Sequence, residues 1–276
     1  MRKIPITCSI GMLRNTILIL LLMMPSIPAG DIRIVSPYLG SITDCYINRD
    51  RNLDLEDHSW MKGLFFQWVS PNRYQWNTFI YQSSDINYST IWGGHFILDS
   101  YWKPGHRGRW VAGIGAEYLR IRMDADSSLI PLKNFELTNH LYIPYLRFGY
   151  CYQFNRPHLI ISILPWGGIE YQGTRGDLDL SIDPPGPAPL STVSQDLSDD
   201  RWLGIAGLNL NLRLFHMVEV EGKYNGAFDA DDYYSTVSAM LNLFFTRSWG
   251  VSYRFKSMEL SKGSDRYHIL GLAWVF

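Results

Sequence analysis

The chain has 276 residues, with 25 basic side chains against 26 acidic ones and no basic stripe, so no surface is prepared for nucleic acid. Aromatic residues make up 14% and charged residues only 18%, yet no run after Met24 reaches ten uninterrupted apolar residues, which excludes a helical membrane protein. A soluble all-β protein and a membrane β-barrel remain.

The first thirty residues read as an address. Arg2, Lys3 and Arg14 make a positive start, Thr16–Met24 is a short apolar core, and small residues follow at Pro28-Ala29-Gly30. This is the pattern of a secretory signal peptide. The expected division is a signal peptide over 1–29, cleaved after Ala29 or Gly30, and one domain over 30–276. An uncleaved anchor is the alternative, but the apolar run falls short of the ~20 residues that a membrane helix needs. No cysteine sits at the cleavage point to carry a lipid. Cys8 leaves with the signal peptide. Cys45 and Cys151 fall at opposite ends of the layout below, beyond the ~7 Å Cα limit for a bridge, so no disulfide is expected.

Beyond this point the dominant signal is alternation with period two. Taken in chain order, a weak run lies near 32–43. Strands are then predicted over 60–69, 74–82, 89–101, 110–122, 138–153, 159–172, 201–214, 217–226, 233–245, 249–260 and 266–276. The clearest sets Gly204, Ala206, Leu208, Leu210, Leu212 and Leu214 on one face and Arg201, Asn209, Asn211 and Arg213 on the other. Several runs reach the ~9–11 residues that cross a bilayer at a tilt.

The connections alternate between two classes. Short turns are predicted at Ser70–Arg73, Lys103–Arg109, Asn155–His158, Phe215-His216 and Thr246–Ser248. Longer polar loops are predicted at Asp44–Ser59, Ser83–Tyr88, Met123–Leu137, Gly173–Asp200, Ala227–Asp232 and Ser261–Asp265. Short turns on one side and long loops on the other are the habit of membrane barrels, whose strand number is even. The weak first run makes twelve; merging in the first third would give ten. The fold class is therefore all-β, an antiparallel transmembrane β-barrel of about twelve strands.

Alternation does not say which face is outside, because a lipocalin-like barrel turns its apolar face inward. Two features favour lipid outside. Aromatics gather at strand ends: Trp68, Trp102, Trp110, Tyr152, Phe154, Phe215 and Trp249 by the short turns, and Tyr81, Tyr88, Tyr118, Tyr142, Tyr171, Trp202, Tyr224, Tyr233, Tyr234 and Tyr267 by the long loops. Two such girdles suit two membrane interfaces. The opposite face carries Asp99, Glu117, Arg147, Glu170, Arg213, Glu219, Glu221, Lys223, Arg254 and Lys256, costly in a sealed apolar core and ordinary in a polar lumen.

The chain stops on Tyr267–Phe276, with Leu270, Leu272, Trp274 and Phe276 on one face. This stretch resembles the carboxy-terminal assembly signal of bacterial outer-membrane β-barrel proteins, an aromatic end preceded by apolar residues at every second place. Trp274 as second aromatic and His268 at the head of the series depart from the usual pattern. The resemblance implies an outer-membrane location, contact with outer-membrane lipid, and recognition of these four residues by the barrel-assembly machinery. It suggests the broad class and no specific family.

Chemistry is less legible. Outer-membrane phospholipases and lipid A deacylases use a serine with a histidine two residues upstream, and no His-x-Ser occurs; His95, the histidine assigned to a lumen strand, precedes Phe96 and Ile97. Omptin-like proteases pair acids with a histidine at the outer rim, but Asp231-Asp232 have none nearby in sequence. The acids from Asp44 to Asp57 beside His58 match no calcium motif and read as a solvated loop. No metal site or cofactor is expected. Gly173–Asp200, with Pro184-Pro185-Gly186-Pro187 and six aspartates, reads as a mobile extended segment that stands at the surface, the alternative being a constriction folded into the mouth.

Among the lumen charges, counting residues from the short turns puts Glu117 level with Arg147, and Arg213 level with Glu219 or Glu221. Cross-strand ion pairs are expected there. Arg254 and Lys256 have no acid on the neighbouring strands and are candidates to attract an anion. The leading functional expectation is a small passive channel for small hydrophilic solutes. A plugged structural or surface-interaction barrel comes second, and an outer-membrane hydrolase or protease third. Recovery of the mature chain as a detergent-free soluble monomer would contradict the membrane reading.

Overall fold

A strand with one greasy and one ionic face becomes a wall when its edges are hydrogen-bonded on both sides. The computed structural model describes residues 31–48, 53–70, 73–84, 89–102, 108–124, 132–182, 191–215, 217–229, 233–260 and 263–276. They form twelve strands: β1 (Ile32–Asn48), β2 (Leu53–Ser70), β3 (Tyr74–Ser83), β4 (Ser89–Trp102), β5 (Gly108–Asp124), β6 (Leu132–Arg156), β7 (Leu159–Ile182), β8 (Ser191–Leu214), β9 (Val218–Phe228), β10 (Tyr233–Phe244), β11 (Trp249–Leu260) and β12 (Gly263–Val275). The segment read as a signal peptide lies outside the described residues, as do the tips of most loops.

Each strand pairs antiparallel with its sequence neighbours, and β1 pairs with β12, so the sheet closes on itself. At the seam Ile34 stands opposite Val275 and Tyr38 opposite Gly271. The last residue completes it, with Arg33 N–H donating to Phe276 C=O at 3.3 Å and Phe276 N–H to Arg33 C=O at 3.1 Å. Closure removes the open edge that a flat sheet would present.

The two faces separate as a membrane barrel requires. Leu208 and Leu210 point outward, 38% and 46% exposed, as do Leu146, Phe148, Ile163, Ile169, Leu270 and Leu272. Asp99, Arg147, Glu170 and Glu219 are buried inside. Exposed rings frame the apolar band: Trp102, Trp110, Tyr152, Phe154 and Trp249 at the end with the chain termini, and Tyr142, Trp202, Tyr224 and Tyr233 at the other. Three tyrosines assigned to that second girdle belong elsewhere. Tyr81 and Tyr234 are buried, and Tyr267 packs against the interior cluster, because strand parity turns all three inward. Trp60 and Trp92 stand exposed instead.

The barrel is not level. Strands β6, β7 and β8 have 25, 24 and 24 residues, about twice what a tilted crossing needs. The predicted loop Gly173–Asp200 is therefore a β-ribbon: Gly173 pairs with Asp200 and the ladder continues to Ile182 opposite Ser191. The predicted loops Asp44–Ser59 and Met123–Leu137 are shortened in the same way, as β1 runs to Asn48, β2 starts at Leu53 and β6 starts at Leu132. The aspartates and the Pro184-Pro185-Gly186-Pro187 stretch between the two arms mask the pattern, although Leu178, Leu180 and Ile182 alternate with Asp177, Asp179 and Ser181.

Arg175 clamps the ribbon to Asp200 through two bonds, Nη1–Oδ1 at 2.5 Å and Nη2–Oδ2 at 2.7 Å. The arginine hydrogen bond holds the Asp200 carboxyl below the usual carboxylate range. The folded carboxyl thus binds its proton less readily than in the open ribbon, so the clamp is complete above the ordinary aspartate value of about 3.9 and is lost as pH falls through the lower folded value. Amide protection factors in the ribbon should drop in that acid window, and Asp200→Asn should give the lowered values already at neutral pH. On the barrel wall, Leu208→Arg should cost about 2–4 kcal/mol while Asn209→Ser on the inner face costs far less, measured by urea titration of refolding into lipid vesicles.

Candidate functional site in the lumen

The lumen is divided lengthwise. On the β12–β1–β2–β3–β4 side, Tyr38, Ile42, Met61, Phe65, Phe79, Tyr81, Ile91 and Ile269 form a cluster, with Met61 and Phe79 wholly sealed from solvent. Phe79 stacks on Tyr81 at 5.3 Å and meets Tyr38 edge-on at 6.0 Å. Toward the long loops the polar space is therefore off-centre, against β4 to β12, whereas toward the short turns it reaches β2 and β3 at Gln67, Gln75 and Asn77.

A strut marks its boundary. Lys256 Nζ on β11 donates to Glu117 Oε1 on β5 at 2.7 Å. These strands are six apart in either direction around the ring of twelve, so the pair spans the lumen from opposite walls. This corrects two expectations. Lys256 has an acidic partner, and Glu117 does not pair with Arg147. The cause is stagger: Gly108 stands opposite Tyr152, so β6 descends to Arg156, below the start of β5. Counting from the turns ignores that shear, which is built into any closed barrel. Arg147 accordingly stands opposite Gly113, and Glu117 opposite Ile143.

Arg147 instead reaches two strands away. Its Nε and Nη2 donate to the two carboxylate oxygens of Asp99 at 3.0 and 2.6 Å. Asp99, Gly113 and Arg147 occupy one cross-strand row on β4, β5 and β6. A Cβ on Gly113 would sit 2.3 Å from Asp99 Oδ1 and 3.0 Å from Arg147 Nε, so only glycine leaves the gap through which the partners meet. The guanidinium also lies 5.3 Å from the centre of the Trp166 ring, whose Nε1 donates to Asn209 at 3.0 Å.

A second row repeats the device on the other wall. Arg213 donates to Glu219 at 3.1 Å, the expected cross-strand pair, and Glu219 also accepts from Asn211 and Asn242 at 3.1 Å each. Ser252 donates to Asn242 Oδ1 at 2.5 Å and shares a 2.5 Å bond with the Tyr38 hydroxyl. Arg254 Nε closes the chain on Tyr38 Oη at 2.7 Å. Between Ser252 and Tyr38 the register places Gly271, where a Cβ would meet the Tyr38 ring at 2.7 Å. Glu221 pairs with Lys223 on its own strand rather than with Arg213. Glu170 accepts from Gln172 at 2.8 Å.

Two chambers lie in the remaining space. The one toward the long loops has a volume of about 400 Å³ and is lined by His95, Glu117, Glu170, Arg254 and Lys256 among others. The one toward the short turns, of about 200 Å³, holds Asp99, Tyr101, Arg213 and Glu219. Arg147, Asn209, Glu221 and Lys223 line both and so form the waist. The sequence places Asn209 on the polar face but does not show that it, Trp166 and Asn242 hold the charged residues, and it gives Tyr38 and Phe65 no role. Gly113 and Gly271, each between two strands with complementary inward residues, were the available signal.

Histidine–hydroxyl bonds join His58 to Thr43, His140 to Tyr118 and His268 to Tyr253, all away from the chambers. His95 lies in the lumen with its ring 5.8 Å from Phe79. No group of three or more metal-binding side chains exists among the described residues. Asp231, Asp232 and the side chains of the acids from Asp44 to Asp57 lie outside them. Cys151 is a buried free thiol, and the Cys45 side chain is likewise outside the description. Leu270, Leu272, Trp274 and Phe276 are exposed on the outer face of β12 and its end.

The fold is that of bacterial outer-membrane β-barrels. The translocator domain of autotransporter NalP from Neisseria meningitidis aligns over 97% of this chain and 96% of that one, with a TM-score of 0.50 and 10% identity. The P. putida toluene transporter TodX covers 91% of each chain at TM-score 0.45 and 7% identity. The KdgM porin covers 88% of this chain and 99% of that one at 0.43 and 12%. At such identities the likeness is one of fold. No protein-family model matches the sequence, and no curated protein matches it.

Asp99→Ala leaves a buried guanidinium uncompensated and should cost about 3–5 kcal/mol, whereas Asp99→Ala with Arg147→Met should recover most of that loss. Gly113→Val should behave like the single mutant, because it parts the same partners without removing a charge. Urea-titrated refolding in vesicles compares all three.

Proposed function

We propose that the chain is a narrow channel of the bacterial outer membrane that passes small hydrophilic solutes through its lumen. The observation that carries this reading is the pair of chambers stacked along the barrel and sharing the walls Arg147, Asn209, Glu221 and Lys223. Paired charges at that waist favour small polar solutes, since bulky or apolar ones would have to displace the Asp99–Arg147 bridge. In this reading residues 1–29 are an export signal removed on secretion, the long loops face outward, and Leu270, Leu272, Trp274 and Phe276 are the surface presented to the assembly machinery. The exposed apolar wall supports contact with outer-membrane lipid.

A second reading, a closed barrel with a structural or surface-interaction role, is favoured by the sealed cluster around Met61 and Phe79 and by the Lys256–Glu117 strut. Planar-bilayer recordings decide between them. The channel reading expects small, steady single-channel steps that grow when Asp99→Ala and Arg147→Ala are combined. Folded protein that inserts yet stays silent, in both wild type and the double variant, would establish the closed barrel instead.

A further inference from the structure

We infer that Arg254 is a preorganised anchor for a small organic carboxylate held in the larger chamber. The inference rests on the reading of that chamber as open to solutes. Charge gives the sign: the chamber lining counts five cationic side chains against three carboxylates. Pairing then narrows the choice. Lys256 is committed to Glu117, Lys223 to Glu221 and Arg147 to Asp99, while Arg201 donates to Gln172 at 3.0 Å and lies over the Tyr234 ring.

Among the described residues no carboxylate is hydrogen-bonded to or ion-paired with Arg254. Its Nε donates to the Tyr38 hydroxyl at 2.7 Å and its Nη2 meets the thioether of Met240 at 2.9 Å, both neutral acceptors. The guanidinium lies 3.3 Å over the centre of the Phe65 ring. Stacking occupies the flat of the group and leaves its edge, where the donors are. Tyr38 is itself fixed by Ser252, so the arginine is held in place before any ligand arrives. A half-buried cation with no carboxylate bonded to it gains more from one than a solvated cation does, because the hydrogen bonds are charge-assisted and the ordering cost is already met.

The same chamber presents Tyr145, Trp166, Tyr234 and Tyr267, rings against which a flat or apolar body can lie. Its volume of about 400 Å³ falls within the range of small-molecule sites, ~300–1,000 Å³. Together these features select an organic carboxylate with a ring or apolar body over a bare inorganic ion.

Calorimetry on the full, folded chain in detergent, with benzoate as probe and benzyl alcohol and benzylamine as neutral and cationic analogues, tests the assignment. Saturable benzoate binding is expected, weakened at least about tenfold for either analogue and at least about tenfold by Arg254→Gln. Equal affinity for benzoate and benzyl alcohol, unchanged affinity in the variant, or no saturable binding would overturn it. Heat-modifiable gel migration checks that the variant folds. Should it not, Tyr38→Phe, which removes only the brace, is expected to weaken benzoate about threefold or more, and an unchanged value overturns the proposal. Binding in detergent does not depend on conduction. Benzoate binding by a barrel silent in bilayers would refute the channel and leave the anchor standing, while conduction without benzoate binding would do the reverse.

Discussion

In hydrocarbon there is no water to satisfy a peptide group, so every amide at that depth must find its partner within the protein. The rest of this molecule follows from that constraint. It requires the seam at which Arg33 and Phe276 exchange hydrogen bonds, because an unclosed β1 or β12 would carry a bare edge through the bilayer. It also makes each strand two-faced. Once Leu208 and Leu210 face outward, Asn209 and Asn211 have nowhere to go but the interior.

The interior is then an unusual solvent for its own side chains, part core and part water. A twelve-stranded ring encloses more room than an eight-stranded one, in which side chains just fill the space. Here the surplus is taken up unevenly. Aromatic and aliphatic residues fill one side, and the Glu117–Lys256 pair ties opposite walls across the gap. Ion pairs in such a place gain strength from low dielectric and lose it to desolvation, so their net effect on stability is modest while the cost of breaking one is high. Their consequence is shape, since a tied lumen cannot relax into a round one.

Faces and strand order are legible in the sequence because both depend on local periodicity. Leu270, Leu272, Trp274 and Phe276 announce an outward face, and the alternation around Arg213 and Glu219 is enough to join them across one tight turn. Partners farther apart are not legible. Lys256 meets Glu117 across 139 positions, and nothing on either strand records the other. Arg147 escapes the turn-counting argument because shear displaces β6 against β5, a property of the whole ring and not of one hairpin. The ribbon at Gly173–Asp200 escapes for a different reason: its aspartates and the prolines between its arms read as loop, although Leu178, Leu180 and Ile182 alternate with polar residues.

That ribbon fixes how deeply the molecule is immersed. Gly204 is the last residue of β8 with a ladder on both sides, to Ile169 and to Phe228; above it, 191–203 has no β9 partner among the described residues. A row of amides with one bare flank has to be served by water, so on this side the oily layer ends at Gly204 and Phe228. Trp202, 68% exposed with Tyr171 beside it at 5.2 Å, stands at that level and resembles a float mark. The waterline of the barrel is thus written in its backbone, by the place where β9 stops and β8 goes on with β7 alone.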